Sequence, residues 1–528
     1  MRTNKYLICC LTTALVCVIF IAPSIKPVEG KTIMVDANII IRADGSIEGT
    51  ENIQHFGDTY VFTDNIYNSH GIAIEKSDIV IDGSGFTING TETRNYPTPF
   101  DDYYAVTGLT LNELSNVSIR NLVITDFNVG IRGSLTNGCI SGNNITGNGV
   151  GVQLESLSTT NLISNNSING LGLIGSYNKV IGNNITNKEG DRVQPSLWLA
   201  HGENSYFAKN LISTSASING SNTQFIHNSF GLVSSLSAYG NNLTISDNDF
   251  VELVASGKNL CILDNRLAFK GTISINQCSS CIVIGNNLTR SFDDNYASGN
   301  AIGDYGGQNN IISNNTITGK FDYGLYLTAQ NDLISGNYIA NNEGGIKMEN
   351  ATKNTITNNT ITFTPYVQGH YAIKLSNSGD NLLYKNILLP RDSDIKNPPG
   401  CYVSAGNESN LWDNGQVGNN WSDYMVLYPN ATEVENSGIG NAPYVINGAN
   451  IDHYPIYKSA IISVSPSPSS SREPQTTITT ANPSDITNHS VEPSPTIPEF
   501  PSTIFLTLII ISIIAGALIY RKRIGKLQ

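Results

Sequence analysis

Charged residues are scarce in this sequence. Asp, Glu, Lys and Arg make up 14% of its 528 residues, against roughly 25% in an ordinary globular protein. A chain with so few charges does not have the composition of a disordered segment. The formal net charge of −13 argues against a nucleic acid as partner, because proteins that bind nucleic acids carry basic patches. The composition therefore predicts a folded body.

Metal-binding side chains are also few and scattered. Cys9, Cys10 and Cys17 lie in an apolar N-terminal segment, and the five other cysteines lack the dense spacing of a disulfide framework. Cys278 and Cys281 have no second pair to complete a zinc set, so packing is their expected role. The seven His and four Met are not grouped, whereas copper sites need grouped His, Met or Cys. No resident cofactor is expected.

Sustained helical periodicity is missing from the body, which instead repeats short strands separated by Gly/Asn turns, as in ISNNTITGKFDYGLYLTAQNDLISGNYI. An Asn recurs before a short apolar strand at a mean interval of about 22 residues. The recurring residues are Asn121, Asn143, Asn166, Asn183, Asn210, Asn228, Asn248, Asn265, Asn286, Asn315, Asn337, Asn359 and Asn386.

A repeat this short cannot close its own core and must stack on its neighbours. We therefore predict an all-β fold, a right-handed parallel β-helix of the pectate-lyase type with about 22 residues per coil. Each strand would pair with its counterpart one coil away, at ~4.8 Å. Asn at the same turn of each coil would form an amide ladder, in which every buried amide is satisfied by the next.

Both ends of the chain carry apolar runs. Arg2 and Lys5 precede an apolar run that ends at Ala22, the layout of an export signal, with cleavage expected near Gly30. Residues 503–520 are uncharged and are followed at once by RKR. At 1.5 Å per residue this run spans ~27 Å, close to the ~30 Å hydrocarbon core. The basic cluster stays cytoplasmic, so the body would lie outside the cell.

The Ser/Pro/Thr-rich residues between body and apolar run read as a semi-extended stalk. The predicted organisation is a signal peptide (1–30), a β-helix (31–410), a capping module containing WSDY (411–460), a stalk (461–502), a transmembrane helix (503–520) and a basic cytoplasmic tail (521–528).

Several motifs carry a family resemblance. They are IIIRADGSIEG (39–49), IVIDGSGFTING (79–90), GNNWSDY (418–424), GIGNAPYVING (438–448) and DHYPIY (452–457). With them the body resembles archaeal surface proteins of the NosD-like group, built from PbH1 repeats and related to carbohydrate-binding and sugar-hydrolysis (CASH) domains. That resemblance implies a pectin-lyase fold and contact with carbohydrate. PEFPS (498–502) resembles the archaeal PEF-type C-terminal sorting signal, which implies a processed lipid anchor.

The same group commonly has an acidic stretch of the form DGDGIGD before the terminal module. This chain has Glu433, Glu435, Asn436 and Asn441 there instead, which weakens a calcium interpretation. Calcium nevertheless stays possible as a bound ion.

Four coils are longer than the rest, with insertions at 90–104, 187–196, 290–300 and 363–371. All four follow the ladder strand, so stacking would line them along one edge of the solenoid. In the strands after them, alternation points one set of side chains outward. The predicted carbohydrate-binding residues are Trp198, Tyr326, Lys347, Glu349 and Lys374 on the strands, with Asp293, Asp294, Tyr296 and His370 in the insertions.

Three functions compete for this architecture. A polysaccharide lyase or glycoside hydrolase is suggested by Asp293–Asp294, Gly369–His370 and Ile373–Lys374, which echo the order of the galacturonases. However, three coils separate Asp294 from His370, roughly 14 to 17 Å at strand spacing. A copper-related accessory role is suggested by the NosD resemblance alone. The sequence leans away from catalysis, although it does not exclude an enzyme.

The third function is that of a membrane-anchored extracellular protein that contacts glycans or has a structural or adhesive role. Fifteen N-x-[ST] sequons suit a glycoprotein outside the cell. The expected location is the extracellular face of the membrane. The expected partners are extracellular polysaccharide or envelope components, and the membrane through the C-terminal helix. This third function is the one that the sequence favours.

Overall fold

The computed structural model describes residues 37–91, 106–187, 196–231, 234–290, 299–363, 371–390 and 403–457. The chain divides into two compact units, Met1–Val464 and Ser465–Gln528, and all described residues belong to the first. Within them, no helix is long and apolar enough to cross a membrane. The predicted signal peptide, stalk, transmembrane helix and basic tail lie outside the described residues.

The described chain winds through three columns of short strands, named here face 1, face 2 and face 3 in the order in which the chain visits them. The strands of face 1 are Ile39–Ile41, Ile72–Ile74, Thr107–Ser115, Val129–Thr136, Val150–Leu154, Leu171–Ile174, Leu197–Ala200, Ala216–Asn219, Ser235–Tyr239, Asp249–Ser256, Arg266–Asn276, Ile302–Tyr305, Tyr323–Leu327, Gly344–Glu349, Ile373–Ser376 and Val403–Ser404.

The strands of face 2 are Ile53–Phe56, Thr59–Phe62, Val80–Asp82, Ser118–Arg120, Cys139–Ser141, Leu162–Ser164, Lys179–Ile181, Tyr206–Ala208, Gln224–Ile226, Thr244–Ser246, Cys261–Leu263, Ile282–Ile284, Ile311–Ser313, Leu333–Ser335, Thr355–Thr357 and Leu382–Tyr384. They form a separate sheet.

The strands of face 3 are Ile66–Ser69, Thr87–Gly90, Val123–Thr125, Asn144–Ile145, Ser167–Asn169, Asn184–Thr186, Leu211–Ile212, Ser229–Phe230, Asn287–Thr289, Thr316–Thr318, Tyr338–Asn342, Thr360–Phe363, Ile387–Pro390 and Asn420–Trp421. Two long strands, Asp249–Ser256 and Arg266–Asn276, run through faces 3 and 1 and join them into one sheet.

Within each face, a strand pairs in parallel with its counterpart one coil away, as Ile163 does with Val180 on face 2. Antiparallel pairs occur at the two ends of the described body. At the N-terminal end, Ile47–Glu48 pairs with the first strand of face 1, and Ile53–Phe56 forms a hairpin with Thr59–Phe62. At the C-terminal end, Tyr444–Asn447 pairs with Asn450–Asp452. This confirms the predicted all-β parallel β-helix.

The core is a stack of apolar side chains that repeats once per strand. On face 2 each strand from Val80–Asp82 onward has three residues. The middle residue points inward, as Ile140, Ile163 and Val180 do, all of them fully buried. Alternation within a strand fixes this direction. Stacking the coils then makes the inward residues one continuous hydrophobic column, which no single coil could form.

A buried amide ladder runs along the turn between faces 2 and 3. Asn166 is typical, because its Oδ1 accepts hydrogen bonds from both the backbone N and the Nδ2 of Asn143, while its own Nδ2 donates to Asn183. Asn165, just before it, has a left-handed backbone with φ of 54°, a conformation that Asn tolerates better than other residues with a side chain. The Asn-Asn pair is therefore one turn residue followed by one buried ladder residue.

The ladder confirms the prediction from Asn143 to Asn386 and corrects it at both ends. Asn121 is an exposed turn residue with φ of 53°, and the backbone N of Leu122 donates to Asn143 in its place. At the other end the ladder continues through Asn419 to the carboxylate of Asp452.

A second polar column, which the sequence did not predict, occupies the turn between faces 1 and 2. It begins with Asn161 and Asn178 and passes through Ser205 and Thr223. Leu243, Leu260 and Cys281 interrupt it. It resumes at Asn310, Asp332, Asn354, Asn381, Asn410 and Asn450.

The C-terminal end of the solenoid is covered by residues that follow its last strand, including the short helix Tyr424–Leu427 and the hairpin Tyr444–Asn447 with Asn450–Asp452. The hairpin ends both ladders, the first at Asp452 and the second at Asn450. Trp421 donates from Nε1 to Asp452 at 2.8 Å, and its ring stacks on Tyr444 at 4.0 Å. These residues cap the exposed end of the polar ladders.

Candidate functional site

One outward-facing position per coil forms a column along face 1. Strand register aligns these positions from the second strand of face 1 to the last. The column reads Ala73, Thr110, Arg132, Gln153, Gly172, Trp198, Ser217, Ser237, Val254, Ser274, Gly303, Tyr326, Lys347, Lys374 and Ser404. Large polar and aromatic side chains gather at its C-terminal end.

Five residues there form what we call the tyrosine–lysine cluster, namely Tyr305, Tyr326, Lys347, Glu349 and Lys374. The rings of Tyr305 and Tyr326 have centroids 5.6 Å apart. The Lys347 ammonium lies 5.0 Å from the Tyr326 ring centroid, a cation–π distance. Lys347 and Lys374 are register partners on successive coils. The cluster is thus a continuous surface over neighbouring coils.

Glu349 holds the cluster together. Its Oε2 accepts a hydrogen bond from the Tyr326 hydroxyl at 2.8 Å and forms an ion pair with Lys347 Nζ at 3.1 Å. The hydroxyl and then the ammonium hold the pKa of Glu349 below its ordinary value. Burial, followed by the Glu349 hydrogen bond, raises the pKa of Tyr326 to about 12. At neutral pH the acceptor is therefore ionised and the donor protonated, which fixes the direction of the bond.

Tyr305 lies over a position that has no side chain. A Cβ at Gly303 would stand 2.4 Å from the Tyr305 ring, closer than carbon atoms can approach. Gly303 thus lets the ring lie back across the sheet beside Tyr326. Sequence reasoning missed Tyr305 because the buried Asp304 before it breaks the alternation of apolar and polar residues. The register of Asp304 with Leu327 and of Gly303 with Tyr326 reveals its place.

Trp198 does not belong to this surface. The sequence predicted an exposed aromatic residue, and this is wrong, because Trp198 is only 8% exposed. It occupies the outward column, but its ring lies across Gly172 of the preceding coil, where an added Cβ would come within 2.2 Å of it. Six coil steps separate Trp198 from Tyr326, or ~29 Å at strand spacing. Trp198 is a packing residue.

The insertion residues Asp293, Asp294, Tyr296 and His370 lie outside the described residues. The strands flanking the four insertions are described, and each insertion connects a strand of face 3 to the following strand of face 1. Those at 290–300 and 363–371 precede the strands that carry Tyr305 and Lys374. Residues 391–402 make a fifth such connection, which the sequence did not predict.

The tyrosine–lysine cluster contains one carboxylate, Glu349, whose Oε2 contacts both the Tyr326 hydroxyl and the Lys347 ammonium. Glycoside hydrolysis commonly uses two carboxyl groups about 5 to 9.5 Å apart. In the described residues, no group of three or more His, Cys, Asp or Glu could hold a metal ion. What the cluster offers is aromatic faces, hydroxyls and ammonium groups, which suit it to holding a ligand.

The chain is similar to one protein family. Residues 209–426, which include the whole tyrosine–lysine cluster, match the family described as "Periplasmic copper-binding protein (NosD)". The protein is therefore NosD-like over these residues. No curated protein matches the chain.

Several solved structures are also similar. The periplasmic alginate epimerase AlgG has a TM-score of 0.31 and 9% identity, covering 64% of this chain and 80% of its own. The Dettilon tailspike protein gp208 has a TM-score of 0.30 and 14% identity, with 67% and 60% covered. The Azotobacter vinelandii mannuronan C-5 epimerase AlgE6 A-module has a TM-score of 0.26 and 10% identity, with 65% and 89% covered.

Proposed function

We propose that this protein is an exported cell-surface β-helix protein that contacts extended glycans through the tyrosine–lysine cluster. The observation that carries the proposal is the fixed arrangement of Tyr305, Tyr326 and Glu349 on an outward face. Aromatic rings supply apolar contact area at a small entropic cost, because they have few rotatable bonds. A surface already held in one geometry loses less freedom when it binds.

The charges of the cluster favour neutral or weakly acidic sugars. Lys347 is paired with Glu349 at 3.1 Å, so part of the positive charge of the two lysines is already balanced. The protein as a whole carries a net charge of −13, which repels strongly anionic polymers over a long range.

The proposed placement is outside the cell. The predicted export signal at 1–30 and the apolar run at 503–520, which follows the predicted stalk, support a body that is exported and anchored through its C-terminus. Cleavage at the PEF-type signal with attachment of a lipid is an alternative form of the same anchor. We also propose that the coil is right-handed with about 22 residues per turn, and that the sequons outside the ladders are glycosylated.

Copper handling is the second candidate, because the matching family is described as copper-binding and periplasmic. Copper sites use grouped His, Met or Cys. In the described part of the chain Met348 is a fully buried core residue, and Cys278 and Cys281 are the one close thiol pair. Glycan contact is therefore the better-supported function. Measuring copper in the purified full-length protein after dialysis tests the alternative directly.

The experiment that tests glycan contact is an array of neutral and acidic oligosaccharides, probed with full-length protein purified in detergent. We expect binding to at least one extended glycan, weakened at least tenfold by Tyr326→Ala. Tyr177→Ala is the matched control, because Tyr177 is 56% exposed and lies on a turn outside the cluster. Equal loss in both variants, or no binding at all, would contradict the proposal. Analysis of each bound glycan for cleavage products, with and without calcium, separates binding from a lyase or hydrolase.

A further inference from the structure

A carboxylate lies inside the solenoid where the other coils place apolar residues. Asp304 is fully buried and occupies the inward position of the strand Ile302–Tyr305, between Ile275 and Leu327 in the same column. An isolated charge in such a place is strongly unfavourable unless it is neutralised or paired. The side chain must therefore have a specific partner.

That partner is a second buried carboxyl group, on the next coil. Asp332 takes the place of an Asn in the second ladder, where its Oδ1 accepts from the backbone N of Asn310 at 2.7 Å and its own N donates to Asn354 at 2.8 Å. An Asn there would also donate from its side chain, as Asn354 does to Asn381. An ionised Asp has no proton to donate in this way.

Asn310 connects the two carboxyl groups. Its side-chain Nδ2 donates to Asp304 Oδ2 at 2.8 Å, and its backbone N donates to Asp332. This leaves one oxygen on each acid, Asp304 Oδ1 and Asp332 Oδ2, buried and without a hydrogen-bond partner. The two carboxyl groups are both held by Asn310, and each shifts the pKa of the other. A single proton between them gives both oxygens a partner.

We infer that Asp304 and Asp332 share one proton, and that this acid pair is a pH-sensitive junction between the coil that carries Tyr305 and the coil after it. Two adjacent carboxylates cannot both ionise without strong repulsion. The pair therefore carries one negative charge, held by the Asn310 donors, and behaves as one titrating unit. In the protonated form Asp332 can donate a hydrogen bond from its side chain, as Asn354 does in the same ladder.

The electrostatic surroundings agree with this geometry. Burial raises the pKa of Asp304. Burial, followed by the charge of Asp304, raises the pKa of Asp332 to about 8. The other titratable groups that face the pair are the thiols of Cys278 and Cys281 from the preceding coil. The hydrogen bond with Cys281, followed by burial, raises the pKa of Cys278. The hydrogen bond with Cys278 lowers the pKa of Cys281, and the charge of Cys281 adds to the rise in the pKa of Asp332.

A rise in pH should weaken the fold around the acid pair. The unfolded chain releases the corresponding proton near pH 3.9, whereas the folded pair keeps it to about pH 8. Stability from the pair is fully present below pH 3.9 and is lost as the pH rises through 8. Above that, two charges face each other beneath the strand Ile302–Tyr305. Local opening of this strand should then become more frequent, and the backbone that positions Tyr305 should loosen.

Hydrogen exchange measured by mass spectrometry on the full-length protein tests the inference. After correction for the intrinsic dependence of exchange on pH, we expect peptides covering residues 302–310 and 327–334 to lose protection at least tenfold between pH 6 and 9. Peptides covering the strand Leu162–Ser164 should not change. Asp332→Asn supplies a permanent donor and should abolish the loss, while Asp249→Asn should leave it intact, because Asp249 is half exposed and pairs with Arg266 at the surface. Equal pH dependence in wild type and Asp332→Asn would overturn the shared proton.

A second measurement needs no variant that could fail to fold. Infrared difference spectra of the wild type between pH 7 and 9 should show the loss of one protonated carboxyl band, as the pair gives up its shared proton. Asp452, whose pKa is about 6, is already mostly ionised at pH 7. Absence of that band would overturn the inference. A cation bridging the two acids is the rival arrangement, and protection restored at pH 9 by millimolar CaCl2 would favour that arrangement over the shared proton.

Discussion

Asn166 donates its side-chain amide to Oδ1 of Asn183 at 2.9 Å, across the boundary between two successive coils. The same nitrogen donates to the backbone oxygen of Ile140 at 2.8 Å. Each ladder residue therefore ties its own coil to its neighbours on both sides. This relationship gives the solenoid a polar spine beside its apolar core, and it sets the register of the stacked strands.

Breaking the ladder in its interior should be costly. Asn337→Leu removes the donor to Asn359 and the acceptor that serves Asn315. Leaving those buried groups unpaired should lower the free energy of unfolding by about 1 to 3 kcal/mol, measured by chemical denaturation. Gln224→Leu is the matched control, because Gln224 carries an exposed amide on face 2, and it should change stability little. An unchanged midpoint in Asn337→Leu would contradict the ladder's role.

Tyr305 should lose its position when Gly303 gains a side chain. Because a Cβ would lie 2.4 Å from the ring, Gly303→Ala must push the ring away from Tyr326. If the proposed glycan contact is correct, affinity measured by calorimetry should fall several-fold. Ser274→Ala, one coil earlier in the same column, should keep wild-type affinity. Full affinity in Gly303→Ala would show that Tyr305 takes no part.

Tyr326 offers a test that separates its ring from its hydroxyl. Tyr326→Phe keeps the ring beside Tyr305 but removes the hydrogen bond to Glu349. We expect a smaller loss of glycan affinity than in Tyr326→Ala, because stacking survives. The pKa of Glu349 should rise toward its ordinary value once its largest stabilising partner is gone, which NMR titration of the side-chain carboxyl can follow. Identical losses in the two variants would assign the binding to the hydroxyl alone.

Trp198 should matter for stability rather than for binding. Its ring is almost fully buried over Gly172, so Trp198→Ala removes a large packed group. We expect a loss of about 3 kcal/mol in the free energy of unfolding, with glycan affinity unchanged in the folded protein. Denaturation and calorimetry on the same sample measure both. A stable Trp198→Ala variant with weakened glycan binding would contradict this prediction and show that Trp198 contributes to binding.

The cap should also respond to pH. Burial raises the pKa of Asp452 to about 6, against about 3.9 for an ordinary Asp. The stability that this group contributes is therefore present below about pH 4 and is lost as the pH rises through 6. Asp452→Asn keeps an acceptor oxygen for Trp421 but cannot titrate. The difference in melting temperature between wild type and variant should change between pH 4 and 6 and stay constant above. A difference that is constant from pH 3 to 8 would contradict this.

The sequence by itself determined the parallel β-helix and the first Asn ladder. Both follow from a period. A strand has alternating faces, and a recurring Asn between short apolar strands can be buried only if the next coil satisfies its amide. The fold and the ladder can therefore be predicted from residues that are close in the sequence. Asn165 and Asn166 are an example, because the first is a turn residue and the second a ladder residue. Tyr326, Lys347 and Lys374 could be aligned from the same period.

Tertiary structure decided whatever depends on side chains from different coils. Trp198 and Tyr326 share the outward column, yet one lies flat across a glycine and is buried while the other stands beside Tyr305 and Glu349. The second ladder escaped prediction because Ser, Thr, Leu and Cys interrupt its Asn residues. Asp304 and Asp332 are 28 residues apart in the chain and look like ordinary polar residues. Stacking places them together in the interior, where low polarity makes it unfavourable for both carboxyl groups to ionise.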